Sequence, residues 1–330
     1  MILILSMNTS LDRVLEVEQL TPGNVHRVMK EQWVGGGKAL NVLKMLGSMN
    51  QSAKAVTVVG NVTGQTIREL LRGENVEDQS TFVSVDDYSR ICDVLVDRET
   101  GQSTVVNSVG PQLTSEEVDR VTDALRRAFR DGPQYLVLTG SVPPGTPSDF
   151  YARIARDASA FGVRTVVDAT RESLTATIRE RPWLVKVNFG EFMDVVPELR
   201  ADTGVTLAPA SRRWYDPIHP LGAHLAANGT NLVVTHGHHG SAAWTTEGQW
   251  AVSAPAVALK NAVGSGDAYL AGFLAQYVES GDFVRALRWA AAAAGSNAQQ
   301  ILPKMGNLDE VHELSHRVQV QGLVEVGERS

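Results

Sequence analysis

Residues 114–169 read "TSEEVDRVTDALRRAFRDGPQYLVLTGSVPPGTPSDFYARIARDASAFGVRTVVDA". Thr114 with Glu117 three residues later is a capping-box signature, and the run to residue 130 that follows has helical spacing of its apolar positions. "YLVLTG" (135–140) and "RTVVDA" (164–169) are short and almost unbroken in apolar residues, the pattern of parallel strands covered on both faces. Between them "PSDFYARIARDASAFG" (147–162) is helical again. Helix, strand, helix, strand means crossover connections and a doubly wound α/β sheet.

The same alternation extends in both directions. "ILILS" (2–6), "AKAVTVVG" (53–60), "LVKVN" (184–188) and "NLVVTHG" (231–237) read as further buried strands, and "GKALNVLKMLGSM" (37–49) and "FVRALRWAAAAAGSNAQQIL" (283–302) as further helices. Two segments break the rhythm. Residues 11–34 and 80–107 alternate apolar with polar and carry turn signals at "TPGN" and "ETGQ", as half-buried antiparallel strands do. They predict a small separate sheet, built from two insertions, on a single domain spanning 1–330.

The net charge of -7 and the lack of a lysine-arginine run argue against nucleic acid or anionic membrane as partner. One cysteine, Cys92, rules out an intrachain disulfide and fits a reducing compartment. "MILILSMN" has a short apolar run and no basic leader, so it reads as a first strand and not a signal peptide. No stretch approaches the ~18 apolar residues of a spanning helix. A soluble, cytoplasmic protein is expected.

"NAVGSGDAYLAGFLAQYV" (261–278) carries the chemistry. Its glycines let backbone amides turn inward just where a helix begins, and the helix adds its free N–H groups and positive dipole end. Such a turn attracts an anion. Asp267 is then either a helix N-cap or a base that takes the proton from an alcohol attacking phosphorus. Other nucleotide signatures fail: "WVGGGKAL" has Gln32 where a Walker loop needs its first glycine and Ala39 where it needs Ser or Thr, and no dinucleotide fingerprint is present.

Read end to end, the chain resembles the ribokinase/PfkB family of ATP-dependent sugar kinases, and is most similar to its 1-phosphofructokinase and tagatose-6-phosphate kinase branch. The matching stretches include "MNTSLD" (7–12), "GGGKALNV" (35–42), "NSVGP" (107–111), "TGSVPPG" (139–145), "DATRESL" (168–174), "WLVKVNFGEF" (183–192), "VVTHGHHGS" (233–241), "AVGSGDAYLAGF" (262–273) and "AAGSNAQQ" (293–300). The resemblance implies a ribokinase-like fold whose small sheet is a lid, and ATP with Mg2+ as cofactors.

It also implies roles. Asp267 matches the catalytic base, and Gly264, Ser265 and Gly266 the anion hole. Asn188 and Glu191 match the N-x-x-E motif that organises magnesium through water. Lys186 faces nucleotide phosphate or snorkels to solvent. Thr235, Gly237 and Gly240 match the nucleotide loop, and Asn297 a residue near adenine.

Toward the sugar, Asp12 matches an aspartate that binds substrate hydroxyls, Gly36 and Gly37 the hinge between lid and core, and Asn41 and Asn107 further substrate contacts. Lys38 and Arg90 match the cations that grip a phosphate already on the substrate; the alternative is two solvent-facing charges. The resemblance thus implies phosphorylation of a ketohexose monophosphate, fructose 1-phosphate or tagatose 6-phosphate, by an enzyme paired through its lids. An unphosphorylated sugar or nucleoside, or a catalytically silent sugar-phosphate sensor, are the alternatives.

The chain departs from that branch on one lid strand, where arginine, apolar, asparagine, apolar, lysine becomes Arg90, Ile91, Cys92, Asp93, Val94. Asp93 there is expected to add a negative charge near the sugar. "KVN" stands where "KPN" is usual, and "NSVGP" lacks a usual glutamate. The histidines of "HGHH" (236–239) lack the cysteine or carboxylate partners of a tetrahedral zinc site.

Overall fold

In a computed structural model, which describes residues 1–323, the strands are β1 Ile2–Ser6, β2 Ser10–Val17, β3 Lys30–Gly36, β4 Ala53–Gly60, β5 Ser80–Val85, β6 Arg90–Asp97, β7 Ser103–Asn107, β8 Tyr135–Thr139, β9 Arg164–Asp168, β10 Leu184–Asn188, β11 Asn231–Thr235, β12 Ser241–Trp244, β13 Gln249–Val252 and β14 Val320–Gly322. Ten form one sheet in the order β14-β13-β12-β11-β10-β9-β8-β1-β4-β5. Neighbours from β5 to β11 run parallel; β12, β13 and β14 continue antiparallel.

The unbroken apolar strands have the predicted cause. Ile2 and Ile4 enter one core while Leu3 and Leu5 enter the other, because successive side chains of a strand point to opposite faces. The first core is closed by the helices Lys38–Ser48, Ser265–Ser280 and Phe283–Ala298, the second by Ser115–Phe129, Phe150–Ala160 and Phe189–Thr203. Burying both faces removes apolar surface at roughly 25 cal/mol per Å2, which is why these strands tolerate few polar positions. The capping box at Thr114 is present: its hydroxyl accepts from the Glu117 amide at 3.3 Å, and the Glu117 carboxylate accepts from the Thr114 amide at 2.7 Å.

The small sheet has the order β3-β2-β6-β7. Two expectations need correction. Residues 80–85 belong to the large sheet, paired parallel with β4, so the second insertion starts at β6. As an edge strand β5 is only partly buried, which gives it the alternating pattern of a lid strand. The small sheet is also mixed: β2 pairs antiparallel with β3 but parallel with β6, since the chain crosses the whole of β4, the helix Asn61–Gly73 and β5 between them.

Candidate active site

The C-terminal ends of the parallel strands and one face of the small sheet enclose a cleft of about 1150 Å3. Ligand sites of open α/β sheets lie at this end.

At its floor, Gly264 adopts φ +81° and immediately precedes the helix Ser265–Ser280. A Cβ there would come within 2.6 Å of Pro303, so the turn requires glycine twice over. Among the described residues no side chain caps the first helical turn; the Ser265 amide donates to Ala262 O at 3.1 Å, and Gly264, Ser265 and Gly266 line the cleft. Asp267 is inside the helix and does not cap it, which removes the bland alternative for this residue. Its carboxylate accepts from the Asn41 amide at 2.8 Å. Burial is the main influence on it and, with Asp168 nearby, pushes its pKa up to about 6 against the pull of Lys38, Asn41 and Lys186. That is a value suited to a base at neutral pH.

Two lysines and two carboxylates meet beside this turn. Asp168, fully buried at the end of β9, accepts from Lys38 Nζ at 3.0 Å and from Lys186 Nζ at 2.8 Å, and Lys38 also reaches Glu191 at 3.3 Å. Burial disfavours both ionised partners, but the opposite charges prevail: Lys38 is held well above the ordinary lysine range and Asp168 below the ordinary carboxylate range. Lys186 Nζ lies 2.8 Å from the position a Cβ on Gly266 would take, so it points at the glycine turn and does not snorkel. The motif reading assigned Asp168 no role. Its signal was available, as an acid ending an apolar strand at the edge where α/β folds place their sites.

Asn188 and Glu191 line the cleft and form a reciprocal capping box on the helix Phe189–Thr203, at 2.8 and 3.0 Å. Thr235, Gly237 and Gly240 line the wall beyond them. Gly240 takes φ +86° with Val252 O only 2.0 Å from a would-be Cβ. Asn297 is absent from the wall: fully buried, it donates to Val263 O and Ser265 Oγ at 2.9 and 3.0 Å, bracing the glycine turn from behind. His236 stacks on Phe189 with Trp214 edge-on to both, and Trp214 donates to His239 O at 3.3 Å.

On the small sheet, Asp12, Cys92 and Asn107 lie side by side across β2, β6 and β7 and face the cleft. Burial raises the pKa of Asp12, opposed by its short hydrogen bond from Ser10 and by Arg90 and Lys44. A Cβ on Gly36 would overlap the Asp12 carboxylate at 2.0 Å, and Gly37 takes φ +100° before the helix Lys38–Ser48. Arg90 also lines the cleft; its Nε donates to Asn8 O at 3.0 Å and, among the described residues, its other donors pair with no carboxylate.

Asp93 corrects the expectation placed on it. One residue from Cys92, it points to the opposite face, where Arg13 holds it by two hydrogen bonds of 2.7 and 3.0 Å and also lies over Trp33. Its charge is neutralised away from the cleft. The next row across the sheet, Val14, Val94 and Val105, is apolar.

A doubly wound sheet carrying a small second sheet over a glycine turn and a buried carboxylate is a ribokinase-like architecture, and the chain's relatives make it a phosphotransferase with an alcohol acceptor. The chain belongs to the pfkB family of carbohydrate kinases, whose sequence pattern matches residues 4–304. It is 28% identical over 324 residues to 1-phosphofructokinase of Bacillus subtilis, covering 98% of this chain and 100% of that protein. To tagatose-6-phosphate kinase of Staphylococcus epidermidis it is 26% identical over 97% of this chain and 99% of the relative. Among solved structures, phosphofructokinase-2 of Escherichia coli superposes with a TM-score of 0.83 at 23% identity, covering 96% and 98% of the two chains. Ribokinase of Thermotoga maritima does so at 0.71 and 16%, covering 95% and 98%. Among the described residues no helix is long and apolar enough to cross a membrane.

Proposed function

We propose that the protein transfers the γ-phosphoryl group of ATP to a hydroxyl of a ketohexose monophosphate, fructose 1-phosphate or tagatose 6-phosphate, yielding the bisphosphate and ADP. The observation that carries this reading is the buried Asp267 carboxylate, oriented by Asn41 beside the glycine turn of Gly264–Gly266, which no side chain caps among the described residues. In the proposed step the sugar oxygen attacks the γ-phosphorus, its proton passes to Asp267, and the bond from phosphorus to the ADP oxygen breaks. The amides and Lys186 stabilise the charge on the transferred group, more in the transition state than in the bound substrate.

Asp12 and Asn107 accept and donate to the sugar hydroxyls, and Arg90 holds the phosphate the sugar brings; Lys38, expected beside it, is paired with Asp168 and Glu191 and serves the transferred group instead. Thr235, Gly237 and Gly240 border the nucleotide. Magnesium suits the donor set only as a hydrated ion carried by the nucleotide: among the described residues no three His, Cys, Asp or Glu converge, and Glu191 with Asn188 supplies one carboxylate and one carboxamide. Bound there, it would neutralise phosphate charge.

The apolar row at Val94, where relatives of this branch carry lysine, favours a second reading in which the acceptor is unphosphorylated. The reading also includes a cytoplasmic location and a homodimer through the small sheets, supported by exposed Trp33 and Val106 on that sheet. A coupled ADP-release screen over fructose 1-phosphate, fructose 6-phosphate, tagatose 6-phosphate, fructose and ribose tests the assignment. A preference for either free sugar selects the second reading, and ADP release that ignores every sugar removes both.

A further inference from the structure

The charged cluster next to the glycine turn contains one group that the reaction does not use directly. Asp168 is fully buried, yet its two oxygens go to two different ammonium groups, Oδ1 to Lys38 and Oδ2 to Lys186. The lysines arrive from the start of the helix Lys38–Ser48 and from the middle of β10, and both line the cleft. We infer that Asp168 is a positioning residue: it clamps the Lys38 and Lys186 ammonium groups side by side at the turn where the phosphoryl group is transferred, without touching either substrate. The inference rests on the kinase reading for what the clamp serves, not for whether it exists.

Donor counting supports it. An ammonium has three donors. Lys38 uses two, on Asp168 and Glu191, and Lys186 uses one on Asp168, so three remain between them for phosphate oxygens. A free lysine must give up the freedom of a long side chain whenever it binds a ligand. Here the pairing with Asp168 itself supplies that ordering, which is the condition for electrostatic stabilisation without reorganisation. Gly266 makes the approach feasible, since any side chain there would meet Lys186 Nζ. Asp168 is unsuited to be a second base, because both its oxygens are already engaged by cations.

The full-length enzyme, labelled with 15N-lysine and 13C-aspartate, gives the test. Ammonium protons are seen in 1H–15N spectra when ion pairing protects them from exchange. Two protected ammonium signals are expected, assigned by their loss in Lys38→Met and Lys186→Met, with both nitrogens coupled through hydrogen bonds to one shared aspartate carboxyl carbon. Correlations to two different carboxylates, or to none, overturn the clamp without any need for an Asp168 variant to fold. In Asp168→Asn the Lys186 signal should vanish, the Lys38 signal should lose its aspartate coupling, and kcat should fall by at least about thirtyfold. The Asp168→Asn/Lys38→Met double variant should lose little beyond Lys38→Met alone, because residues acting as a unit are not additive. Losses that multiply instead would mean that Asp168 acts on the fold in general and would refute the positioning role. A shared carboxyl coupling in an enzyme that phosphorylates no sugar would remove the kinase reading while leaving the clamp intact.

Discussion

Replacing Asn41 with leucine, which has the same number of side-chain heavy atoms but more bulk, removes the one side-chain hydrogen bond among the described residues that holds the Asp267 carboxylate. That bond favours the ionised form, so its loss raises a pKa that burial already places at about 6. A hydrogen bond to a charged group contributes about 1.5–3 kcal/mol, and one pKa unit corresponds to about 1.4 kcal/mol. The acid limb of kcat/KM should therefore move upward by about one to two pH units, to between about 7 and 8. With a shift of about 1.5 units, the ionised fraction at pH 6.5 drops from about three quarters to about one tenth. Coupled ADP release at subsaturating sugar, followed from pH 5 to 9, reads the limb. Asn41 also lines the cleft, so the plateau is expected to fall as well; the position of the limb separates the two effects. A limb that stays with the parent's, or moves to lower pH, would show that Asp267 is not the titrating base.

The same carboxyl links to stability. Its folded-state pKa lies above its ordinary value of 3.8, so the stability it contributes is complete below that pH and is lost as pH rises through about 6. Asp267→Asn should thus unfold at higher urea than the parent at pH 7.5, by up to about 3 kcal/mol, with the gain shrinking toward pH 4; equal midpoints at pH 7.5 would contradict the buried charge. Gly36→Ala drives a methyl group into Asp12 and should raise the sugar KM at least about tenfold while leaving the ATP KM near the parent value. Arg90→Gln should raise KM for a phosphorylated sugar by about 10- to 150-fold, the worth of a charge-assisted hydrogen bond, and an unchanged KM would favour the unphosphorylated acceptor.

What the sequence shows and what it hides follow from the range of the interactions. The parallel strands are legible because burial on two faces leaves a continuous apolar run, and the "GSGD" turn because glycine and the helix start are adjacent in the chain. β5 was hidden by its edge position, which exposes part of it and mimics a lid strand. Strand alternation contained the answer for Asp93, since a residue beside cleft-facing Cys92 must face outward, but its partner Arg13 lies on another strand. Asn188 and Glu191 show how one spacing serves two purposes: residues three apart at a helix start make a capping box, and the same pair borders the cleft. The convergence of Lys38 and Lys186 on Asp168 joins three distant segments, which no local pattern encodes.

The proposed transfer turns on Asp267 receiving the proton of the sugar alcohol as phosphorus moves to it. The most direct measurement is the single-turnover rate of [γ-32P]ATP transfer to the best sugar by Asp267→Asn, beside its affinity for both substrates. The rate should be lower by about 100- to 10,000-fold, with both affinities within about threefold of the parent. Transfer at the parent's rate would contradict it.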